Sequence, residues 1–401
     1  MENKKIRLDS LTLVYNESEN EFAGIIRDAL AAKYSITLPE SGKEDYVGSA
    51  SIVAEIDPSY PLRRYSIDIK ADGGIRVAGD HHETVYFAVQ RLVNSLFGAE
   101  PEVEETHIYS YMLLVSDPSI LAYDGKYYQV GFVCNGRGNV EIGYEIYTSD
   151  NLYDWSLPVR AFNASDCKDP AFDGFCNFWA PEIWEYRGKF YIFATYRSKA
   201  TNHRGCAVFR SDKPDGKYEM ITDGHMTPKD WDCIDNSLYI DENGDPWMTF
   251  VHEWTSMPDH IGTMCVCRLS DDLSRLEGEI TTIFKANEAP FNPKNGVTDG
   301  PFIYRFKSGK LAMIWSYYYP GKGYCIGTVH SEGDVRGPWV QDQEILYERN
   351  DADYRARREG GHGFIFRDLE GNLKISFHCN NNYKWLCIRD LSDEGDVLRI
   401  I

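Results

Sequence analysis

Three aspartates, Asp117, Asp235 and Asp299, introduce similar short segments, and an apolar residue follows each one three positions later. Clustered carboxylates repel one another, which raises their pKa values and costs stability. A cluster that a protein tolerates is therefore a candidate for binding a cation or for acid–base chemistry. In acid–base chemistry an ionised carboxylate activates water, while a protonated one donates a proton to a leaving oxygen. These aspartates are the first candidates for a catalytic site.

The segments that these aspartates introduce belong to a repeated unit, which consists of a strand, a glycine turn and a second strand. The unit occurs five times, with its turn glycines 56 to 65 residues apart. A near-constant period of this length is typical of radial repetition, in which each unit buries its faces against its neighbours. We therefore predict a five-bladed β-propeller. The turn glycines are Gly125, Gly188, Gly244, Gly309 and Gly371.

The first residue of each unit is expected at the mouth of the central channel, because the innermost strands of all blades run along that channel. Aligned on their first apolar residues, the five units start at Asp117, Ala180, Asp235, Asp299 and Gly361. Aspartate is also a common turn residue beside strands. Three aspartates at one register nevertheless favour carboxylates that face one another across a pocket. In inverting glycoside hydrolysis such a pair stands about 6.5–9.5 Å apart, which leaves room for water.

The first quarter of the chain has a different pattern. Apolar residues recur at helical spacing in Glu21–Tyr34 and Glu83–Gly98, and Arg64–Asp80 alternates around Asp-Gly-Gly as a β-hairpin does. The acidic stretch Gly98–Thr106 is interpreted as a linker. We predict a mainly β chain, with a small α+β accessory domain over residues 1–105 and the propeller over residues 106–401.

The composition excludes several classes of partner. A net charge of −20 repels nucleic acid and anionic membranes, whereas a neutral ligand is compatible with it. No run of about 18 apolar residues is present, so no membrane-spanning helix is predicted. The N-terminus has no apolar signal-peptide core, so we expect a cytoplasmic protein unless a leader has been removed. The 10 cysteines include no C-x-x-C pair, which favours reduced, buried thiols over a zinc site.

Five motifs, S-D-P-S-I-L, W-A-P-E-I-W, I-D-N-S-L-Y, T-D-G-P-F-I and G-G-H-G-F-I, occur in this order, one in each unit. Together they resemble glycoside hydrolase family 43, whose members are five-bladed propellers with inverting chemistry. The resemblance extends from about Asp117 to the C-terminus. It implies that Asp117 is the general base that activates water. It also implies that Asp235 modulates the pKa of the general acid and orients it.

The general acid is the point at which this chain departs from the family. The family usually has a glutamate there in an E-G-P context, whereas this chain has T-D-G-P, with Asp299 one methylene shorter. Two glutamates are alternatives: Glu253 in F-V-H-E-W and Glu182 in W-A-P-E. The remaining alternative is a protein that has lost the activity.

Further residues are candidates for substrate binding. The resemblance places His362 in the central channel, often beside a hydrated calcium ion, although a packed histidine is the alternative. No cofactor is required, and no direct metal ligand is assigned. Trp179 and Trp254 are candidates for stacking on a sugar, with core packing as the alternative. Glu182 is a second candidate for contacting the sugar, and Arg357 is a candidate for binding its hydroxyls or a catalytic carboxylate.

These observations favour an inverting, exo-acting glycosidase for α-L-arabinofuranosides or β-D-xylosides of hemicellulose or pectin oligosaccharides. Both sugars are usual substrates of the family that the chain resembles. A cytoplasmic enzyme would meet short imported oligosaccharides, which suit an exo mode. A non-catalytic carbohydrate-binding propeller and an interaction scaffold are the alternatives. The first domain resembles, more loosely, the small α/β domain of family 20 hexosaminidases, on the stretch Gly73–Gly98. The sequence does not indicate an oligomeric state.

Overall fold

The computed structural model describes residues 4–133, 142–169, 177–291, 296–380 and 383–401. The chain forms two compact units. The N-terminal unit comprises Met1–Leu113 and Asn350–Arg357, and the propeller unit comprises Leu114–Arg349 and Arg358–Ile401. Within the described ranges, no helix is long and apolar enough to cross a membrane.

The N-terminal unit has a six-stranded mixed sheet of order β3-β2-β4-β6-β5-β8 and a separate antiparallel pair β1-β7 among its described residues. Apolar residues at helical spacing bury one face of each helix, as the sequence predicts, with Phe22, Ile26, Val85 and Val89 inaccessible to solvent. Its elements are β1 Lys5–Arg7, β2 Thr12–Val14, α1 Asn20–Tyr34, β3 Glu40–Ser41, β4 Ser51–Ile56, β5 Arg64–Lys70, β6 Gly74–Gly79, α2 His82–Arg91, β7 Glu102–Glu104 and β8 Thr106–Tyr111.

The prediction that Gly98–Thr106 is a linker is wrong, because this stretch contributes to the N-terminal unit. Its residues Glu102–Glu104 pair with β1, and the following strand β8 extends the large sheet along β5. The acidic side chains lie on exposed strands, so charge alone did not distinguish them from a linker. The boundary between the units consequently falls after Leu113 and not at residue 105.

A segment from late in the chain completes the N-terminal unit. The amide of Gln90 donates to the carbonyl of Tyr354 at 2.8 Å. The guanidinium of Arg357 bonds to the carbonyl of Glu21 at 3.2 Å and pairs with the carboxylate of Asp28. A Cβ at Gly24 would lie 3.0 Å from Arg357, so glycine allows the guanidinium to approach α1 closely. Residues 350–357 are therefore an integral part of this unit.

The propeller unit confirms the predicted fold. Its described residues form five antiparallel sheets of four strands each, in sequential order. The blades are, in turn, β9 Ser119–Tyr123, β10 Lys126–Val133, β11 Gly143–Ser149 and β12 Val159–Asn163; β13 Trp179–Tyr186, β14 Lys189–Arg197, β15 Arg204–Ser211 and β16 Glu219–Met220; β17 Cys233–Ile240, β18 Pro246–His252, β19 Thr263–Leu269 and β20 Leu276–Lys285; β21 Asp299–Arg305, β22 Leu311–Tyr319, β23 Gly323–Asp334 and β24 Gly337–Tyr347; and β25 Gly360–Arg367, β26 Leu373–Cys379, β27 Trp385–Ser392 and β28 Arg399–Ile400.

The glycine turns join the first two strands of each blade, as predicted. In the first blade Asp124 and Gly125 have φ values of 47° and 73°, so two consecutive left-handed residues make the tight hairpin turn. Leu114 closes the ring, because it bridges to Trp385 of the last blade and the next amide donates to the carbonyl of Lys384 at 3.0 Å.

Apolar side chains fill the spaces between neighbouring blades. Between the third and fourth blades, Val251, Met264 and Trp315 have no exposed surface. Nearly continuous buried runs such as that of β22 supply this packing, because both faces of every sheet meet another blade. The rigid ring that results fixes the inner strands, which carry the candidate catalytic residues.

The N-terminal unit has a pH-dependent contact between its helices. His82 Nε2 lies 3.0 Å from Glu21 Oε2, and the hydrogen bonds to Glu21 and Glu83 raise the pKa of His82 from 6.5 to about 9. A raised histidine pKa stabilises the fold below pH 6.5, and this stabilisation is lost as pH rises through about 9.

We expect His82→Gln to weaken the protection of α1 amides against hydrogen exchange by about 1 kcal/mol at pH 6, since the pair is partly solvent-screened. The difference from wild type should shrink towards pH 10. Glu21→Gln and the double variant complete the cycle, and the coupling between the two sites should vanish at high pH. A coupling that does not change between pH 6 and pH 10 would contradict this assignment.

Candidate active site

The inner strand of every blade is preceded or opened by a residue in the left-handed region. The φ values are 53°, 42°, 57°, 52° and 57° for Asp117, Ala180, Asp235, Gly300 and His362, respectively. In the last four blades the pairing with the second strand shifts register at this residue, which indicates a bulge. A non-glycine residue pays about 1–2 kcal/mol for this conformation, and such strain is frequent at functional sites.

This geometry corrects the alignment of the repeats. The equivalent residues are the five just named, so the alignment on apolar residues was right in the first three blades and wrong by one residue in the last two. Asp299 therefore has the position of Trp179, Ile234 and Gly361, each of which pairs with the second strand just before the bulge. Pro118, Pro181 and Pro301 follow the left-handed residue in three blades, and this signal could have given the register.

Three of the left-handed residues have a polar side chain of the preceding blade beside their amide. The amide of Asp235 donates to Thr195 Oγ1 at 2.9 Å, and that of His362 donates to Ser316 Oγ at 2.7 Å. Nδ1 of His378 lies 3.3 Å from the amide of Asp117, but its proton is donated to the carboxylate of the same residue. The three partners lie near the end of the second strand of their blades. Sequence reasoning missed them, because polar residues on a strand are common.

Asp117 lies between two histidines. Nδ1 of His378 is 3.1 Å from its Oδ1, and Nδ1 of His362 is 3.5 Å from the same atom. Burial alone would raise the pKa of Asp117, but the histidines and the ammonium of Lys384 lower it far below its usual range. Because burial lowers the pKa of His362 itself to about 4, the contact with His378 and the charge of Lys384 hold the carboxylate at neutral pH. Asp117 is therefore ionised, as a general base must be.

Asp235 is buried beside the other carboxylates. The amide of Gly300 donates to its Oδ2 at 3.0 Å, and Nδ1 of His362 lies 3.9 Å from the same oxygen. Burial and the charges of Asp299 and Asp117 raise the pKa of Asp235 well above its usual range. The carboxyl of Asp235 therefore favours its protonated form.

Asp299 is partly buried, and its Oδ2 accepts a hydrogen bond from the hydroxyl of Tyr324 at 2.9 Å. Burial, together with the charges of Asp117 and Glu253, raises its pKa to about 7, against the opposing effects of Tyr324 and Lys384. Asp299 thus retains a proton at mildly acidic pH while Asp117 is ionised. The mouth of the channel holds the two protonation states that acid–base chemistry requires.

Glu253 reaches the same cluster but is engaged by a cation. Its Oε2 lies 2.6 Å from Arg204, and both side chains are largely buried. Burial raises the pKa of Glu253, although the charge and hydrogen bond of Arg204 oppose that effect. A carboxylate that neutralises a buried guanidinium is poorly suited to exchanging a proton. The geometry therefore favours Asp299 over Glu253 as a proton donor.

Glu182 is buried in the central channel, where the indole of Trp184 donates to its Oε2 at 2.9 Å. Burial raises its pKa to about 8. Trp184 in turn stacks on Phe302 and meets Phe364 edge-on, with ring centroids 5.6 Å and 5.3 Å apart. These partners belong to the packed channel, so the structure groups Glu182 with an aromatic cluster and not with the acid–base pair.

The remaining predicted substrate-binding residues differ in their placement. Trp179 and Trp254 are partly buried and pack against the core between the third and fourth blades. The guanidinium of Arg204 lies 5.3 Å from the ring centroid of Trp179. Arg357 belongs to the N-terminal unit, where it pairs with Asp28.

The groups around His362 decide whether the predicted calcium ion could be bound directly. The described residues contain no group of three or more His, Cys, Asp or Glu side chains arranged to hold a metal. Nδ1 of His362 is directed at Asp117 and Asp235, and calcium prefers oxygen ligands. The residues therefore do not form a direct ligand set, and a hydrated ion beside His362 stays a prediction.

Comparison with known proteins establishes the family. The model of glycosyl hydrolases family 43 matches residues 112–400, so the chain belongs to this family. An endo-arabinase from Bacteroides thetaiotaomicron is similar in structure, with 36% identity and a TM-score of 0.60 over 71% of this chain and 96% of that one. An endo-1,4-β-xylanase from the same organism has 26% identity and a TM-score of 0.59, over 72% and 95% of the two chains.

The curated relatives match over shorter stretches. An extracellular exo-α-(1→5)-L-arabinofuranosidase of Cellvibrio japonicus is 28% identical over 145 residues, which are 33% of this chain and 39% of that protein. An extracellular endo-α-(1→5)-L-arabinanase of Bacillus subtilis is 25% identical over 149 residues, 36% and 45% of the two chains. The matches thus span less than half the length of the curated relatives.

The pairing of Arg204 with Glu253 gives a testable prediction. We expect Arg204→Met to destabilise the protein by about 3 kcal/mol at pH 8, because it leaves a buried carboxylate unpaired. The loss should be smaller at pH 5, where an unpaired Glu253 takes up a proton. Chemical denaturation of Arg204→Met, Glu253→Gln and the double variant measures the effect, and the double variant should regain part of the loss. Equal stability of Arg204→Met and wild type at pH 8 would refute the assignment.

Proposed function

We propose that this protein is an inverting, exo-acting glycosidase that hydrolyses α-L-arabinofuranosides of plant oligosaccharides. The observation that carries the proposal is the contrast between two carboxyl groups in one mouth. The pKa of Asp117 is held low by its histidines and Lys384, whereas that of Asp299 is raised to about 7 by burial and neighbouring charge. One group is thus a base and the other an acid at the same pH.

In the proposed reaction Asp117 removes a proton from a water molecule, and the water oxygen attacks the anomeric carbon. Asp299 donates its proton to the glycosidic oxygen, which leaves as an alcohol. A single displacement inverts the configuration at the anomeric carbon. Afterwards Asp117 carries a proton and Asp299 is ionised, and exchange with solvent restores both groups.

Asp235 supports the acid in this scheme. Burial and the charges of Asp299 and Asp117 raise the pKa of Asp235, so the protonation of Asp235 depends on that of Asp299. The amide of Gly300, the residue after Asp299, donates to Asp235 and fixes the separation of the two side chains. Asp235 therefore acts as a positioning residue for Asp299.

The proposed substrate rests on similarity. The structural relative with 36% identity is described as an endo-arabinase, and a curated relative is described as an exo-α-(1→5)-L-arabinofuranosidase. A β-D-xyloside is the second candidate, supported by the 26% identical endo-1,4-β-xylanase. The exo mode is supported by the exo-acting relative alone, and the products formed from a linear α-1,5-arabino-oligosaccharide test it. Exo action releases single arabinose units, whereas endo action first gives mixed shorter chains.

A direct assay tests the function. Wild type should release aryl alcohol from an aryl α-L-arabinofuranoside faster than from an aryl β-D-xyloside. Asp117→Asn should lose about 10²–10⁴-fold in kcat, because the water loses its base. Asp212 directly follows β15 of the second blade and has an exposed carboxylate, so Asp212→Asn serves as the matched control. Wild-type activity in Asp117→Asn would remove this residue from the mechanism, and silence of wild type on all glycosides would favour a binding propeller.

The two acid candidates are separated by leaving-group dependence. Asp299→Asn should hydrolyse a substrate with a poor leaving group roughly 10²-fold or more slowly, yet approach wild type on one with a good leaving group, which needs little protonation. Glu253→Gln should show no such contrast. Steady-state kinetics on a series of aryl glycosides measures it, and the opposite pattern would assign the acid role to Glu253.

The pH profile tests the protonation states. Because Asp299 must carry a proton, kcat/KM should fall as pH rises through about 7. Because Asp117 stays ionised to low pH, the acidic limb should not reflect its titration within the range in which the protein is folded. An alkaline limb that persists unchanged in Asp299→Asn would show that another group titrates.

A further inference from the structure

Two aromatic side chains outside the sequence motifs each contact one member of the acid–base pair. Tyr324, the second residue of β23, donates its hydroxyl to Asp299 Oδ2 at 2.9 Å. His378, on β26, places Nδ1 3.1 Å from Asp117 Oδ1. The rings of Tyr324 and His378 are stacked, with centroids 5.4 Å apart and planes 15° from parallel. One stacked pair therefore connects the two carboxyl groups.

We propose that Tyr324 is a positioning residue for the general acid, whose hydroxyl fixes the rotamer of Asp299 and leaves Oδ1 to carry the proton that is transferred. The inference rests on the proposed function, since it requires Asp299 to act as the acid. It also accounts for the aspartate in place of the usual glutamate, because a side chain one methylene shorter has fewer rotamers and is held at its outer oxygen. His378 supports this arrangement, because its stacked ring holds the Tyr324 ring in place.

The backbone around Tyr324 is built to admit its ring. A Cβ at Gly361 would lie 2.3 Å from the Tyr324 ring, so any side chain at that position would displace the ring. The amide of Tyr324 donates to Glu359 Oε2 at 2.9 Å, and a Cβ at Gly323 would lie 1.7 Å from the same carboxylate. Two glycines on two blades thus make room for Tyr324 and its anchor, which explains a glycine in the G-G-H-G motif.

The direction of the hydrogen bond follows from the surroundings. Burial and the charges of Asp299, Asp117 and Asp235 raise the pKa of Tyr324 well above its usual range. The hydroxyl therefore stays protonated and donates to Asp299. A donor favours the ionised carboxylate, so Tyr324 lowers the pKa of Asp299 from the still higher value that burial would produce.

The second strands of the other blades show why His378 is suited to this role. The hydroxyls of Thr195 and Ser316 accept from the amides of Asp235 and His362, but they have no ring face to offer a neighbouring side chain. His378 donates from Nδ1 to the carboxylate of Asp117, and its buried ring offers a flat face to Tyr324. A hydroxyl at this position could not support the tyrosine ring.

Tyr324→Phe removes the hydroxyl and keeps the ring and its stack, so it tests the proposal directly. The loss of a donor to a carboxylate should raise the pKa of Asp299 and move the alkaline limb of kcat/KM up by about one pH unit. Turnover of a substrate with a poor leaving group should fall roughly tenfold, with a smaller loss for a good leaving group. A merely structural role would lower the rates evenly and leave the limb in place.

Tyr347→Phe is the matched control, because Tyr347 lies in the same blade and its buried hydroxyl donates to the carbonyl of Arg358 at 2.8 Å. It should lose stability without moving the alkaline limb. A shift of the same size in Tyr347→Phe, or no shift in Tyr324→Phe, would overturn the proposal.

A measurement without substrate separates this inference from the proposed function. Titration of the Asp299 carboxyl carbon by NMR, assigned with Asp299→Asn, should give a pKa about one unit higher in Tyr324→Phe than in wild type. An active wild type with identical titrations in the two proteins would overturn the inference and leave the glycosidase standing. An inactive wild type would overturn the proposed function and, with it, the assignment of Tyr324 to an acid, even where the titration shifts.

Discussion

The candidate site depends on one backbone feature, the left-handed residue at the start of the inner strand of each blade. The same kink occurs in all five blades, so Asp117, Asp235 and His362 converge although more than 100 residues separate each from the next. Each non-glycine copy costs about 1–2 kcal/mol. Hydrogen bonds that Thr195 and Ser316 of the preceding blade accept from the amides of Asp235 and His362 offset part of that cost, so the packing of the ring maintains the geometry of the mouth.

The electrostatics of the mouth follow from unequal partners and not from unequal burial. Asp117, Asp235 and Asp299 share one site, yet Asp117 has two histidines within 3.5 Å of one oxygen and the ammonium of Lys384 acting on it, and its pKa falls while those of the other two rise. Glu253 contributes repulsion to the group while Arg204 keeps it paired. A cluster that would be unfavourable if all its members were ionised is thus divided into one base and groups that retain a proton.

The N-terminal unit illustrates a different use of charge. Its helices α1 and α2 are joined by the contact of His82 with Glu21, and Arg357 pairs with Asp28 of α1. Because Arg357 comes from residues 350–357, this unit is discontinuous in sequence. Arg357, which comes shortly before the fifth blade in the sequence, therefore stabilises the N-terminal unit, and a local motif could not indicate this.

The sequence by itself determined the repeat number, the propeller fold, the glycine turns and the aspartates that meet at the mouth, because these depend on local patterns that recur in each blade. By its apolar pattern the sequence placed Asp299 one residue out of register, because Phe302 precedes the equivalent apolar residue Ile303, although the proline after the left-handed residue could have corrected this. It also gave no sign of Tyr324 and His378, whose importance arises only where two blades meet. The tertiary structure alone decided which carboxyl group has a cation or a histidine beside it, and pKa values depend on such neighbours in space and not on neighbours along the chain.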